Sequence, residues 1–286
     1  MSLGDADEDL LESRLVWIFG SPRSGSTWLM NLIGIHPQAG SINEPLVGIN
    51  VAPYMPEILS RSPLRYGDVL SRDPRDPEVF FSDQYASAWR PLLRKLILAR
   101  FAAESGSRVT VIKDPNGSQG ADVIMATLPR SKLLFLLRDG RDVVDSEVAS
   151  LQPRAWRGRR FDVTATREEL IEFAARNWLA RTEIVESAFA NHDEALRMMV
   201  RYEDLLDDPE GWLSRIYDWC GLEASADQIR ATVAALSVDK VAVRTAETFV
   251  RTATPGLWRE HFDEAERKLL AGILDQKLRQ LGYETG

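Results

Sequence analysis

The sequence predicts an α/β fold of three layers, a central parallel sheet flanked on both sides by helices. Three observations carry this. Short apolar runs alternate with longer amphipathic stretches, the pattern of strands buried on both faces and joined through helices. VWIFGSPRSGSTWLM, residues 16–30, passes from an apolar run through a Gly/Ser loop into a second apolar run, a strand–loop–helix opening of the P-loop kind. And 286 residues, 44% of them hydrophobic, can build one large core, so residues 1–286 are read as a single domain.

In chain order, residues 15–19 read as a buried strand and 26–35 as a helix. Residues 36–85 are rich in Pro, Gly, Asp and Arg and read as long excursions with one short helix; such a stretch in a compact domain suits a lid. Helical periodicity covers 87–104, with Pro91 either in the first turn or kinking the helix. A second strand follows at 109–112, a short helix at 120–128, a third strand at 132–137 (KLLFLL) and a helix at 140–151. Residues 152–166 form a basic loop. The long helix 168–190 is capped by Thr166, with Glu169 completing a capping box. A fourth strand at 196–200 precedes helices at 209–220, 225–236 and 263–281.

The bulk numbers exclude several function classes. A net charge of −8 argues against general attraction to nucleic acid, while leaving room for a local basic site. The single cysteine, Cys220, rules out an intrachain disulfide and a cysteine-rich metal centre. Three histidines far apart give zinc little support, so no metal is expected. No apolar run reaches the length of a membrane span. The opening MSLGDADEDLLES is acidic, unlike a signal peptide, and residues 1–13 are expected to be disordered. A reduced, cytoplasmic setting follows, and Arg-rich, Lys-poor usage points to a GC-rich bacterial genome.

The opening loop carries the chemistry. Gly20, Gly25 and Thr27 keep the spacing G-x-x-x-x-G-K-[ST], but Ser26 stands where the lysine belongs and a cation appears earlier, at Arg23. Ser24, Gly25, Ser26 and Thr27 offer backbone N–H groups, and a helix N-terminus points at whatever they hold. A plain turn without a ligand is the alternative. Nucleoside triphosphatases use the lysine and magnesium to neutralise β- and γ-phosphates. A ligand with one phosphate and a singly charged sulfonate needs less.

SPRSGSTWL, residues 21–29, resembles the 5′-phosphosulfate loop of sulfotransferases that use 3′-phosphoadenylyl sulfate (PAPS) and release 3′,5′-adenosine diphosphate (PAP). The resemblance implies that Arg23, Ser24, Gly25, Ser26 and Thr27 cradle the phosphosulfate and that Trp28 stacks on adenine. LLFLLRDGRDVVDSEVAS is similar to the family's 3′-phosphate motif, which implies that role for Arg138 and Ser146. The plainer alternative pairs Arg138 with Asp139 or Asp142. FVRTATPGLWREHF, residues 249–262, resembles the family segment Arg-Lys-Gly-x-x-Gly-x-Trp-Lys; Arg251, Gly256 and Trp258 keep their places, Arg259 replaces the lysine, and Thr252 and Ala253 depart. It implies that Arg251 binds the 3′-phosphate, while the Trp258 side chain is expected in the core. VRYEDLLDDP is similar to a strand-end Tyr-Glu-Asp segment, implying that Tyr202 contacts adenine or, more plainly, packs on a helix.

For catalysis, VIKDPNG resembles the catalytic-lysine segment of tyrosylprotein sulfotransferases, which implies Lys113 as the leaving-group cation, with Arg23 beside it. Cytosolic members place a histidine two residues after that lysine; Pro115 stands there, and none of His36, His192 or His261 replaces it by motif. RSGSTWLMNLIGIHPQAGSINEP runs like the glutamate-based tyrosylprotein and bacterial branches, which makes Glu44 the candidate base, with Asp114 as the alternative. Segments 46–108 and 152–166 would face the acceptor. Arg154, Arg157, Arg159 and Arg160 would gate an anionic acceptor or form a solvated loop, and Trp89 and Trp156 would line a pocket or pack elsewhere. The acceptor is expected to be a hydroxyl of a small molecule, glycan, lipid or peptide, and the sequence specifies no oligomeric state. Two rivals stay open here: a P-loop ATP/GTP-dependent kinase, and a non-catalytic nucleotide-binding relative.

Overall fold

The structure, a computed structural model, describes residues 4–51, 81–151, 165–237 and 254–285. Arg251 and the basic-loop residues Arg154, Trp156, Arg157, Arg159 and Arg160 lie outside the described residues, as do 52–80 of the acceptor-side segment.

Five parallel strands form one sheet in the order β2-β3-β1-β4-β5: β1 (Leu15–Phe19), β2 (Ala39–Asn43), β3 (Val109–Lys113), β4 (Lys132–Leu137) and β5 (Arg197–Arg201). Alternation along β1 builds both faces. Leu15, Trp17 and Phe19 join one apolar cluster, and Val16 and Ile18 join the other. β4 repeats this, with Leu133, Phe135 and Leu137 on the first face and Leu134 and Leu136 on the second. The first face is covered by α4 (Ala86–Ser105), α5 (Ala121–Thr127), α6 (Gly140–Ser150), α7 (Arg167–Asn191) and the C-terminal helix Glu264–Gln280. The second is covered by α2 (Ser26–Gly34), α9 (Pro209–Cys220) and α10 (Ala226–Ala235). This is the expected three-layer arrangement. The capping box on α7 is present, with Thr166 accepting from the Glu169 amide and Glu169 accepting from the Thr166 amide.

Three expectations are corrected. The fold has a fifth strand, β2, inside the supposed excursion 36–85. Its sequence AGSIN is poor in strand-forming residues, but pairing along β3 holds it. A short helix α3 (Val47–Val51) follows it. The described part of the expected disordered segment 1–13 is helical: Asp5–Ser13 forms α1, fixed by Arg94 of α4, which meets Glu8, Asp9 and Glu12 at 2.7, 2.8 and 2.7 Å. Pro91 falls in the second turn of α4, not the first.

Parallel strands put all five carboxyl ends on one edge, where ligands of open α/β sheets bind. Glu44 follows β2, Lys113 ends β3, Gly20 follows β1, Arg138 follows β4, and α8 (Tyr202–Asp207) follows β5.

Candidate active site

The loop between β1 and α2 is shaped by close approach. Gly20 has φ +150°, and a Cβ there would lie 2.2 Å from Leu136 O; at Gly25, φ +86°, it would lie 2.5 Å from the Tyr202 ring. Glycine is therefore required at both ends. Arg23 between them takes a left-handed φ of 70°, uncommon for a side-chain-bearing residue and a feature of tight ligand loops. Gly25 brings no side-chain cap to α2, and a small-residue loop running into a helix N-terminus is an arrangement of the kind that holds anions. Ser24 is buried, and its hydroxyl has no hydrogen-bond partner among the described residues.

Arg138 and Ser146 meet this loop at one residue. Arg23 Nε donates to Ser146 Oγ at 3.0 Å, and Arg138 Nη1 donates to Arg23 O at 3.0 Å. The guanidinium of Arg138 lies 4.4 Å from the Tyr202 ring centroid, and Trp28 meets the same ring edge-on at 6.2 Å. Trp28 itself is buried, its indole N–H donating to Leu236 O. The alternative partners of Arg138 have further contacts, although the Arg138 charge still acts on the buried Asp142 carboxyl, opposing the rise that burial causes. Asp139 takes the Arg141 guanidinium at 2.7 Å, and Asp142 accepts the Gly256 amide at 2.8 Å. Arg138 Nε is buried without a partner among the described residues, an arrangement that suits an anion not supplied by the protein. Asp142 also tethers the segment that carries Trp258, whose side chain is in the core as expected.

Lys113 and Glu44 form the second centre. Lys113 Nζ lies 2.6 Å from Glu44 Oε1 and donates to Thr27 Oγ1 at 3.1 Å. The lysine is buried and the glutamate one-third exposed, so the pair opens outward on the glutamate side. Asn116 Nδ2 donates to Glu44 Oε2 at 2.9 Å. Asn116 was missed from the sequence because Pro-Asn-Gly reads as turn chemistry.

Asp114, the alternative base, is fully buried and faces backbone amides. Burial first of all raises its carboxyl from 3.8 to about 6; the amides of Gly48, Gly117 and Leu46 oppose this, and the charge of Glu44 adds to it. It secures a close junction: a Cβ on Gly48 would lie 1.7 Å from Gly117 O. Between the two pKa values the folded chain holds more protons than the unfolded one, so this group's contribution falls as pH rises. Relative to Asp114→Asn, the wild type should lose on the order of 3 kcal/mol of stability from about pH 4 to about pH 6.5. Urea unfolding of both proteins across that range checks this; parallel stability curves would contradict it.

The histidines stand elsewhere. His36 meets Glu223 O, His192 meets Ser131 O and His261 pairs with Asp145 at 2.8 Å. Trp89 is buried, its N–H donating to Ser82 O. Among the described residues there is no group of three or more metal-ligating side chains, and no helix is long and apolar enough to cross a membrane.

The model of the sulfotransferase family matches residues 16–227. A protein-tyrosine sulfotransferase of Drosophila melanogaster is 25% identical over 211 residues, covering 72% of this chain but 37% of the fly protein. The chain thus spans little over a third of that relative. A putative protein-tyrosine sulfotransferase of Caenorhabditis briggsae is 22% identical, covering 95% and 90% of the two chains. Among solved structures, a mouse sulfotransferase complexed with PAP has a TM-score of 0.57 at 15% identity, covering 95% of this chain and 89% of that one. A sulfotransferase domain from the curacin biosynthetic pathway has a TM-score of 0.56 at 17% identity, covering 95% and 98%. At these identities the structural likenesses establish a shared fold.

Proposed function

This chain belongs to the sulfotransferase family, and from that membership we infer that it moves a sulfuryl group from PAPS to an acceptor hydroxyl by in-line displacement, leaving PAP. The observation that carries the reading is the convergence of two cationic centres on one sheet edge, Arg23–Arg138–Ser146 and Lys113–Glu44, joined through the loop 20–27.

The residues divide the work. Ser24, Gly25, Ser26 and Thr27 hold the 5′-phosphosulfate, the unpartnered Ser24 hydroxyl supporting this. Arg138 and Ser146 hold the 3′-phosphate, with Arg251 as a third contact. Tyr202 and Trp28 border the adenine. Lys113 and Arg23 stabilise the charge that develops on the leaving oxygen and the sulfuryl oxygens, since cations beside developing charge lower the barrier in a site where water screens poorly. Glu44 takes the acceptor proton. Its one-third exposure favours it over Asp114, which is fully buried and bonded to amides.

The acceptor side is read as segments 46–108 and 152–166 of a single domain. Leu46 and Ile49, both exposed just beyond Glu44, support a hydroxyl carried on an apolar body. The lone buried cysteine and the Arg-rich usage support a bacterial cytoplasm. Calorimetric titration tests the reading: PAP should bind tightly in the presence of EDTA, and ATP–magnesium weakly. Preference for ATP–magnesium would favour a kinase instead.

A further inference from the structure

Glu44 sits on a strained turn. Its φ is 49° and that of Leu46 is 59°, both left-handed, on either side of Pro45. Non-glycine residues hold such angles only where their surroundings determine them. The loop after β3 supplies those surroundings. The Glu44 amide donates to Lys113 O at 2.7 Å, and the Asp114 carboxylate accepts from the Gly48 amide at 3.4 Å. Two different groups then meet the two carboxylate oxygens: the Lys113 ammonium on Oε1 and the Asn116 amide on Oε2.

These two contacts differ in what substrate binding does to them. Lys113 is a cation already shared between Glu44 and Thr27, and negative charge developing on a leaving oxygen would compete with Glu44 for it. Asn116 is neutral and fixed. It lies in the 3₁₀ turn Pro115–Gly120, closed by the Gly117 amide on Asp114 O at 2.9 Å. Ser118 of the same turn is bonded both ways to the Gly20 backbone, at 2.9 and 2.7 Å. A carboxylate held by the lysine alone would be free to rotate once the lysine turned.

We propose that Asn116 is a positioning residue for sulfuryl transfer: it holds Oε2 of Glu44, so that Oε1 faces the acceptor when Lys113 engages the leaving oxygen. This rests on the reading of Glu44 as base. In the step it serves, the acceptor O–H gives its proton to Oε1 while the acceptor oxygen's electron pair forms the new S–O bond. The bridging S–O bond breaks, and its electron pair stays on the 5′-phosphate of PAP beside Lys113.

The test has two readouts. The first needs no turnover: the ¹⁵N side-chain amide signal of Asn116, assigned by its loss in Asn116→Ala. At one fixed pH it should move on Glu44→Gln, which removes the charge that Asn116 Nδ2 faces. The second uses 4-methylphenol as acceptor probe with PAPS. Asn116→Ala should lower kcat roughly tenfold with PAP affinity within about twofold of wild type, and add no further loss on the Glu44→Gln background. The acid limb of the kcat profile should move to higher pH, because a hydrogen bond to the charged carboxylate is lost, and further still in Asn116→Asp, where a like charge is added. Lys113 and Asp114, the charged groups facing Glu44, are the same in every variant. An Asn116 amide signal unmoved by Glu44→Gln overturns the proposal, as does wild-type kcat in Asn116→Ala beside a crippled Glu44→Gln. If Glu44→Gln itself keeps wild-type kcat, the base reading fails instead. Where 4-methylphenol is not turned over, the amide signal decides alone.

Discussion

Lys113→Ala should lower sulfuryl transfer by roughly 10²–10³-fold while PAP still binds, because the lysine acts on charge that appears only in the transition state. Its ammonium is buried and bonded to Thr27 of the cradle and to Glu44, so it lies between the donor loop and the candidate base. Removing it takes a buried cation from a site where water screens poorly, and it leaves Glu44 with Asn116 but without an opposite charge. Both effects fall on kcat. Lys113→Met keeps much of the bulk and should show the same loss, which separates charge from packing. Single-turnover rates with PAPS and calorimetric PAP affinities, measured together, check this. A rate within threefold of wild type would remove Lys113 from the mechanism.

Arg138→Ala should weaken PAP binding about 100-fold, the scale of one or two charge-assisted hydrogen bonds to a phosphate. The loss should be concentrated on the 3′-phosphate, so adenosine 5′-phosphosulfate, which lacks that group, should lose much less affinity. Some effect on the 5′ side is expected, because Arg138 also donates to Arg23 O and so helps hold the loop in its left-handed turn. Ser146→Ala should cost less, since it removes a neutral partner of Arg23. Calorimetry with the two nucleotides measures the difference. Equal losses for both would mean that Arg138 supports the loop and does not read the 3′-phosphate.

How much of this was legible in the sequence follows from distance along the chain. The opening strand, loop and helix are contiguous, and their signal is local: an all-apolar β1, glycines where backbone must approach closely, and an apolar helix face. The 3′-phosphate candidates Arg138 and Ser146 were legible for the same reason, lying on one strand end and the helix after it. The pairing of Glu44 with Lys113 was not. It arises because β2 lies beside β3, with Asn43 opposite Lys113, and β2 itself was hidden in a Gly/Ser/Asn stretch that only its neighbour makes a strand. Asn116 was hidden because a turn residue and a carboxylate-holding residue look alike until the carboxylate is in place. The engagement of Asp139 by Arg141 and of Asp142 by the Gly256 amide likewise depends on tertiary contacts.

Sulfuryl transfer from PAPS is the work proposed for this pair of centres. The most direct test incubates the protein with ³⁵S-labelled PAPS and a panel of phenols and alcohols in EDTA, and follows PAP together with labelled organic sulfate. PAP and organic sulfate should appear in equal amounts with at least one acceptor, and both should be abolished in Lys113→Ala. Turnover of ATP–magnesium to ADP, with PAPS left intact, would contradict that proposal.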